Sequence, residues 1–317
     1  MIFFLILAGL ILLPAGGELV VRGSVRLSRM LNISPLVVGV TVVGFGTSLP
    51  EVVVSINAAL SGSPGLAVGN VVGSNIANSL LVIGLPALFA PVIVDTRAVL
   101  RDGVGLLGVT IVFVGICLHG LLNTWSAIIL LALLCFYVAI ATRTGSGSET
   151  RSLASHANVQ TDESGQKKQH FIKTLLIILA GFAAIAAGAE CLVSGAVELA
   201  RRLGVSNEII GLTIVAIGTS LPELVTALVA AYRRQTDLTL GNVLGSNIFN
   251  LAGVAGVTGL IVPLPFSDEI ARYDIWVLAA TTVLLFLFMW SHYRISRVEG
   301  GILFAGYCLY IGSLIGL

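Results

Sequence analysis

Two glutamate residues, Glu51 and Glu223, lie inside apolar stretches, and each ends the same motif, GTSLPE. In the first copy, Thr47 and Ser48 precede Glu51 by four and three positions, so a helix places their hydroxyl groups on its face. Pro50 cannot donate a backbone hydrogen bond and predicts a break in that helix. The motif therefore predicts a group of oxygen ligands: a carboxylate, two hydroxyl groups and carbonyls released by the break. The second copy repeats these positions as Thr219, Ser220, Pro222 and Glu223.

A second polar pattern follows each motif at a spacing of four residues, which favours one helix face. Its members are Asn70, Ser74 and Asn78 in the first copy and Asn242, Ser246 and Asn250 in the second. Asn75 and Asn247 fall elsewhere on the helix and predict hydrogen bonds between helices. Small residues in the same segments predict close helix approach; they are Gly69, Gly73, Gly241 and Gly245.

Ligation by oxygen atoms with two carboxylates is typical of hard cations such as Ca²⁺ and Na⁺. Neither motif contains histidine or cysteine, which argues against zinc, copper and iron. Two glutamates balance the charge of one Ca²⁺ or of two Na⁺, so competition between these ions at one site is physically reasonable. An empty site with two negative charges should resist moving, and this is the basis of exchange.

A structural interpretation competes with this one, because serine, threonine, asparagine and glycine in membrane helices commonly serve packing and hydrogen bonding. The duplicated glutamates are different, since the same segments hold no lysine or arginine to pair with them. An ionisable group in that setting indicates a functional site. Another repeated pair, Glu18 and Glu190, lies towards the ends of apolar segments, where we expect solvation at the membrane interface.

The two motifs belong to a longer internal repeat. Residues 39–78 and 211–250 align without a gap, 172 positions apart, and 21 of the 40 aligned positions are identical. The offset also relates residues before the motif to their counterparts in the second half: Glu18, Gly23, Leu27 and Ser34 match Glu190, Gly195, Leu199 and Ser206.

Composition places this repeat in a membrane. The 317 residues are 56% hydrophobic and 10% charged, whereas soluble domains carry roughly 25% charged residues. The net charge of +1 and the lack of a basic stripe give no indication of nucleic-acid binding. Four cysteines, scattered singly in apolar runs, indicate packing residues rather than metal ligands.

The apolar runs predict an all-α integral membrane protein with ten transmembrane helices. The predicted spans are 2–21, 35–60, 65–90, 103–119, 124–142, 171–197, 207–232, 238–263, 271–291 and 300–317. A polar segment at 143–170 predicts a flexible linker between two five-helix repeats, 1–142 and 171–317.

Two five-span halves in one chain must insert with opposite orientations, which is the inverted-repeat design that places substrate near the membrane midplane. A channel could share this symmetry. With the N-terminus outside, 14 of the 17 basic residues fall in cytoplasmic connections, and the linker is cytoplasmic. Arg201 and Arg202 are the main exceptions. The sequence thus predicts a multi-pass protein of the cell membrane with its N-terminus outside.

The paired GTSLPE and GNVxGSN motifs in two five-span halves resemble the alpha repeats of the cation/calcium exchanger superfamily, and of prokaryotic sodium/calcium exchangers in particular. The resemblance covers the whole chain. It implies electrogenic antiport of Na⁺ and Ca²⁺ by alternating access, with the first and sixth spans sliding across the core. It implies no enzyme activity and no cofactor, and transported cations and the lipid bilayer as partners of a chain that functions as a monomer.

The resemblance also implies a ligand set, matched by motif position. Calcium would be held by Glu51, Glu223, Thr47 and Thr219. Sodium sites would add Ser48, Ser220, Ser74 and Ser246, with the backbone carbonyls of Gly44 and Ala216. Asn78 and Asn250 would occupy a central polar position, acting through water.

One departure from the family pattern concerns Asn250. Many prokaryotic relatives and the potassium-dependent branch carry Asp at that position, whereas both copies here carry Asn. We therefore expect exchange that is independent of potassium. Two alternatives stay open at the sequence level: a calcium/proton exchanger, because burial favours the protonated form of a carboxyl group, and a passive cation channel.

Overall fold

A computed structural model describes residues 2–96, 99–144, 164–204 and 216–315, and these residues are almost entirely helical. Their helices are α1 (Ile2–Leu31), α2 (Pro35–Leu60), α3 (Pro64–Phe89), α4 (Val99–Leu118), α5 (Thr124–Thr144), α6 (Ser164–Arg202), α7 (Leu221–Tyr232), α8 (Thr236–Ile261), α9 (Ile270–His292) and α10 (Arg297–Ile315). One further helical turn, Ala216–Thr219, precedes α7.

Eight of these helices are long and apolar enough to cross a membrane, namely α1 to α6, α8 and α9. The described part of α7 has 12 residues, and the beginning of its predicted span, 207–215, lies outside the described residues. The count of ten spans therefore stays a prediction. Most of the predicted linker, 145–163, also lies outside the described residues, and α6 begins at Ser164, inside the bounds predicted for the linker. The linker therefore stays a prediction.

Helices α3 and α8 form the centre of the molecule. In their most apolar windows 83% and 78% of the residues are buried, against 33% in α1 and 22% in α5. These two helices carry the GNVxGSN motifs, whose polar side chains would be costly in contact with lipid. Burial at the centre removes that contact, so the polar faces predicted from the sequence lie inside the protein.

Two short antiparallel ladders join connections that are distant in the chain. Strand β1 (Val92–Ile93) pairs with β4 (Arg294–Ile295), and β2 (Leu121–Leu122) pairs with β3 (Leu264–Pro265). None of these strands was predicted from the sequence, because two-residue segments carry no periodic signal. Each ladder ties a connection of the first half to a connection of the second.

Helices α1 and α6 run antiparallel and approach each other closely through glycines. A β-carbon on Gly16 would lie 2.7 Å from the carbonyl oxygen of Gly181, and one on Gly188 would lie 2.9 Å from the backbone nitrogen of Leu13. The glycines recur every seven residues, as Gly9, Gly16 and Gly23 on α1 and Gly181, Gly188 and Gly195 on α6. Spacing by seven keeps them on one face, so the helices contact backbone to backbone.

A second close approach brings α2 against α8. A β-carbon on Gly44 would lie 2.8 Å from the backbone nitrogen of Ser246, and one on Gly241 would lie 3.1 Å from the α-carbon of Gly39. The predicted role of Gly241 and Gly245 in helix approach is therefore confirmed. At the equivalent positions in α3, Gly69 and Gly73, a β-carbon would meet no heavy atom of the described residues within 4 Å.

We expect Gly16→Leu to destabilise the protein by about 1–3 kcal/mol, the usual cost of overpacking, because the new side chain would meet the backbone of α6. The measurement is the temperature at which the purified protein loses its monodisperse size-exclusion peak. The matched control is Gly115→Leu on α4, where the glycine is exposed and a β-carbon meets nothing described within 4 Å. Equal stability of the two variants would contradict this account of the helix pair.

Candidate cation site

The GTSLPE motifs interrupt their helices, as predicted. In α2, a π-helical turn at Gly39–Val43 leads into one helical turn, Gly44–Thr47, and Ser48 then leaves the helix with φ −86° and ψ 6°. A new helical segment starts at Leu49. Pro50 lies in its first turn, where backbone N–H groups lack helical partners and proline is tolerated.

The second motif repeats this geometry, with nearly the same backbone dihedral angles. Ser220 has φ −88° and ψ 3°, between the turn Ala216–Thr219 and α7. Pro222 again lies in the first turn of the segment that follows. The same residues in the same order thus produce the same break in both halves.

Each glutamate lies in the first turn of the helical segment that follows a break. This position favours a carboxylate, because the unpaired N–H groups of a helix N-terminus carry partial positive charge. Both side chains are fully buried. No ion pair among the described residues includes Glu51 or Glu223.

Three buried carboxylate oxygens have no hydrogen-bond partner among the described residues: both oxygens of Glu51, and Oε2 of Glu223. The fourth, Glu223 Oε1, accepts a hydrogen bond of 3.0 Å from Ser48 Oγ. Burying a carboxylate without a partner costs several kcal/mol or more. The arrangement therefore has the electrostatic character of a site for a positively charged ligand.

Residues of α2 meet residues of α7 and α8 around these carboxylates. Thr47 Oγ1 lies 3.2 Å from Asn242 Oδ1 and 3.3 Å from Ser246 Oγ. Ser246 Oγ donates to the carbonyl oxygen of Gly44 at 3.3 Å. With the Ser48–Glu223 bond, these contacts bring five of the predicted site residues from both halves into one buried cluster: Gly44, Thr47, Ser48, Glu223 and Ser246.

Two asparagines hold the backbone at the glutamates. Asn70 Nδ2 donates to the carbonyl oxygen of Glu51 and Asn242 Nδ2 donates to that of Glu223, both at 3.2 Å. Their spacing in the sequence predicted a polar helix face but not this role. Each asparagine follows its glutamate by 19 residues in both copies of the repeat. This constant spacing is the sequence feature that could have indicated a contact between them.

Asn78 and Asn250 are fully buried, and neither their amide nitrogens nor their oxygens find a partner among the described residues. Each lies in a π-helical turn, Asn78–Val82 or Phe249–Val254, a local geometry that is frequent at functional sites. Buried amides are rarely left unpaired. Both side chains therefore suit the polar position that the sequence predicted for them.

For the remaining predicted ligands the structure gives the burial or the position in a helical turn, but few specific contacts. Ser74 and Ser220 are buried, and Ser220 Oγ has no partner in the described part of the chain. Thr219 is half-buried and has an interaction partner. Ala216 begins the turn Ala216–Thr219, and the role of its carbonyl stays a prediction.

The predicted hydrogen bonds of Asn75 and Asn247 have different outcomes. Asn247 Nδ2 donates to Ser79 Oγ at 2.9 Å and so joins α8 to α3, as expected. Asn75 Nδ2 instead donates to the carbonyl oxygen of Val71 in its own helix, at 2.7 Å. Within the described ranges Asn75 therefore makes no hydrogen bond to another helix, because its amide nitrogen forms a local bond that short polar side chains can make to the carbonyl four residues earlier.

Asp102 in α4 is another buried carboxylate, and no motif in the sequence indicated it. Arg101 donates to both of its carboxylate oxygens, at 2.6 and 2.8 Å, and Tyr137 of α5 donates to Oδ1 at 2.9 Å. Its counterpart 172 positions later, Asp274, accepts a hydrogen bond of 3.0 Å from Tyr310. These aspartates have donors, which marks them as structural ties between neighbouring helices, unlike the glutamates.

The donor set suits a hard cation rather than a transition metal. Among the described residues no three histidines, cysteines, aspartates or glutamates come together as a metal centre. The cluster offers carboxylate, hydroxyl, amide and carbonyl oxygens, which Na⁺ and Ca²⁺ prefer. Two carboxylates supply the charge.

A family model described as sodium/calcium exchanger protein matches residues 1–143 and 173–316, and the chain therefore belongs to the sodium/calcium exchanger family. CaxA of Alkalimonas amylolytica, which is named as an antiporter, is 37% identical over 309 residues that cover 96% of each chain. The sodium/calcium exchanger MaX1 of Methanosarcina acetivorans is 30% identical over 340 residues, covering 98% of this chain and 97% of MaX1.

The fold is also that of a solved exchanger. The sodium-calcium exchanger NCX_Mj, soaked with Na⁺ and without Ca²⁺, matches with a TM-score of 0.85 and 34% identity, covering 99% of this chain and 100% of that one. The family resemblance stated from the GTSLPE and GNVxGSN motifs is confirmed.

We expect Asp102→Asn to lower the stability of the protein by about 3 kcal/mol, because it leaves the mostly buried Arg101 without its carboxylate. Thermal unfolding of the purified protein measures the effect. Asp268→Asn is the control: it breaks an ion pair with Arg272 in which both side chains are more than four-fifths exposed, and such pairs contribute little. A larger loss in the control would refute the assigned role of Asp102.

Proposed function

We propose that this protein exchanges Na⁺ for Ca²⁺ across the cell membrane and that Glu51 and Glu223 hold the transported cation between them. The observation that carries the proposal is the pair of fully buried carboxylates, one from each half, with three oxygens unpartnered among the described residues. Membership of the sodium/calcium exchanger family supports the choice of ions.

Calcium is bound by the two glutamates together with Thr47 and Thr219, and sodium uses neighbouring oxygens. The proposed sodium ligands are Ser48, Ser220, Ser74 and Ser246 and the carbonyls of Gly44 and Ala216. Two contacts support this division: Ser246 Oγ touches the Gly44 carbonyl, and Ser48 Oγ touches Glu223. Because the two sets interleave, the ions compete for the same carboxylates. Asn78 and Asn250 complete the site through water.

Competition explains coupling. Two carboxylates are neutralised by one Ca²⁺ or by two Na⁺, and without either ion the site carries two buried negative charges. Moving such a charge through a low-dielectric region is costly, so the protein changes conformation only when it is loaded. Exchange is electrogenic when the charge carried by Na⁺ in one direction differs from that carried by Ca²⁺ in the other.

Alternating access requires the halves to have opposite orientations in the membrane. The antiparallel contact of α1 with α6 supports this, because these helices occupy equivalent places in the two halves. The β-ladders support it too: β3 begins 172 positions after β1, so the β1–β4 and β2–β3 pairs are approximate counterparts. We propose ten spans with the N-terminus outside, and a moving unit formed by α1 and α6.

Glu51→Gln and Glu223→Gln should each reduce sodium-driven calcium uptake by at least about a hundredfold. Losing a group that only supports a ligand costs up to about a hundredfold, and losing a proposed ligand itself should cost at least as much. The assay is ⁴⁵Ca²⁺ uptake into proteoliposomes under an imposed Na⁺ gradient. Glu190→Gln is the control, since Glu190 is exposed. Uptake close to that of the unmodified protein in either site variant would contradict the assignment of these glutamates as cation ligands.

The same liposomes separate the two alternatives. A calcium/proton exchanger would take up calcium under a pH gradient without Na⁺, and a passive channel would do so without any counter-ion gradient. An imposed membrane potential should change the rate of sodium-driven uptake if exchange is electrogenic.

Uptake driven by Na⁺ should not change when K⁺ is added or withdrawn, because both central positions carry a neutral amide, Asn78 and Asn250. Asn250→Asp restores the carboxylate of potassium-dependent relatives and should make the rate respond to K⁺. The measurement is initial ⁴⁵Ca²⁺ uptake at fixed Na⁺ gradient with K⁺ replaced by choline. A requirement for K⁺ in the unmodified protein would overturn this interpretation of Asn250.

A further inference from the structure

A cavity of about 470 Å³ lies outside the cation site, between the C-terminal part of α1 and the turn that joins α7 to α8. Its polar lining consists of Arg22, Arg26, Arg29, Arg233 and Gln235. Two valines of α1 supply an apolar wall. The cavity therefore combines concentrated positive charge with a small apolar surface.

The positions of the arginines follow from the sequence. Residues 22, 26 and 29 are spaced by four and three, so they share one face of α1. Arg233 immediately follows α7, and Gln235 immediately precedes α8. The helix face and the turn meet across the cavity, and their side chains converge on it.

The positive charge is poorly compensated. Glu18 is the carboxylate that pairs with the lining: it binds Arg22, and it accepts from Arg233 Nε at 3.0 Å. Arg26 and Arg29 are exposed, and neither guanidinium group makes an ion pair or a hydrogen bond within the part of the chain that the structure describes. Among the described residues, four guanidinium groups thus face one carboxylate, and like charges at this spacing repel each other.

Helix length sets the depth of the cavity in the membrane. The 30 residues of α1 span about 45 Å, whereas the hydrocarbon core is about 30 Å thick. The 20 residues from Ile2 to Val21 hold one charged side chain, Glu18, and as a helix they span about 30 Å, the thickness of the hydrocarbon core. A run of this length would fill the core and leave the arginines from Arg22 onwards at the depth of the lipid headgroups.

We propose that this cavity binds the phosphate group of an anionic phospholipid. Guanidinium groups bind phosphate oxygens through paired, charge-assisted hydrogen bonds. Arg26 and Arg29 have this capacity unused, and Glu18 holds Arg22 and Arg233 at the edge of the cavity. The valine wall faces the less polar part of the lipid. A bound headgroup would bridge α1 to the end of α7 and stabilise the contact between them.

The test is binding to the purified full-length protein in a nonionic detergent, followed by thermal unfolding. Short-chain phosphatidylglycerol should raise the unfolding temperature in a saturable way, and short-chain phosphatidylcholine should not. In the double variant Arg26→Gln/Arg29→Gln, phosphatidylglycerol should bind more weakly, by about fivefold for each arginine removed. Glu18→Gln should bind more tightly, because it removes the competing carboxylate.

The matched control is Arg234→Gln, which removes an exposed arginine next to Arg233 that does not line the cavity. It should bind phosphatidylglycerol like the unmodified protein. Inorganic phosphate is tested separately. If phosphate stabilises the protein when the lipids do not, and the double variant loses this effect, the cavity binds phosphate but its ligand is a soluble anion.

Equal stabilisation by both lipids, no stabilisation by any of the three compounds, or an unchanged response of the double variant would overturn the proposal. Because binding is measured without ion flux, its failure is distinct from a failure of the proposed exchange.

Discussion

Two carboxylates buried in the middle of a membrane protein need positive charge or hydrogen-bond donors around them, and the surrounding structure supplies only some of these. Glu51 and Glu223 receive partial positive charge from the helix N-termini at which they lie, and Glu223 receives one hydrogen bond from Ser48. These donors leave three carboxylate oxygens without protein partners among the described residues. Asp102 provides the contrast within the same chain, since Arg101 and Tyr137 saturate it. A carboxylate with a full set of donors ties helices together, whereas one without them is suited to a cation.

The helix breaks and the glycines serve this requirement. Leaving the helix at Ser48 and at Ser220 starts a new helix N-terminus at membrane depth, where irregular backbone is tolerated because protein surrounds it. Close approach of α2 to α8 at Gly44 brings Thr47 and Ser246 within hydrogen-bond distance. A larger residue at Gly44 would separate these helices. The close packing of α1 against α6 concentrates backbone contact in a helix pair outside the central core.

Charge at the membrane surface follows different rules from charge at its centre. At the centre no ion pair of the described residues includes the glutamates, and in the proposed exchange the transported cation balances their charge. At the headgroup level, the arginines on α1 and at the end of α7 exceed the carboxylate that pairs with them. Water and lipid phosphates are available there, so an excess of positive charge is tolerated. The same long helix, α1, thus carries a glycine face against α6 and a basic face towards the cavity.

The sequence by itself determined the membrane class, the internal repeat, the two glutamates and the family, because composition, a constant offset of 172 and rigid local motifs are one-dimensional signals. It also predicted the break at each proline, which depends on local backbone chemistry. The tertiary structure decided which hydroxyl contacts which carboxylate: Ser48 binds Glu223 of the other half rather than Glu51 of its own motif. It also decided the bracing by Asn70 and Asn242 and the saturation of Asp102. These outcomes depend on distances between segments far apart in the chain, and helix packing sets those distances.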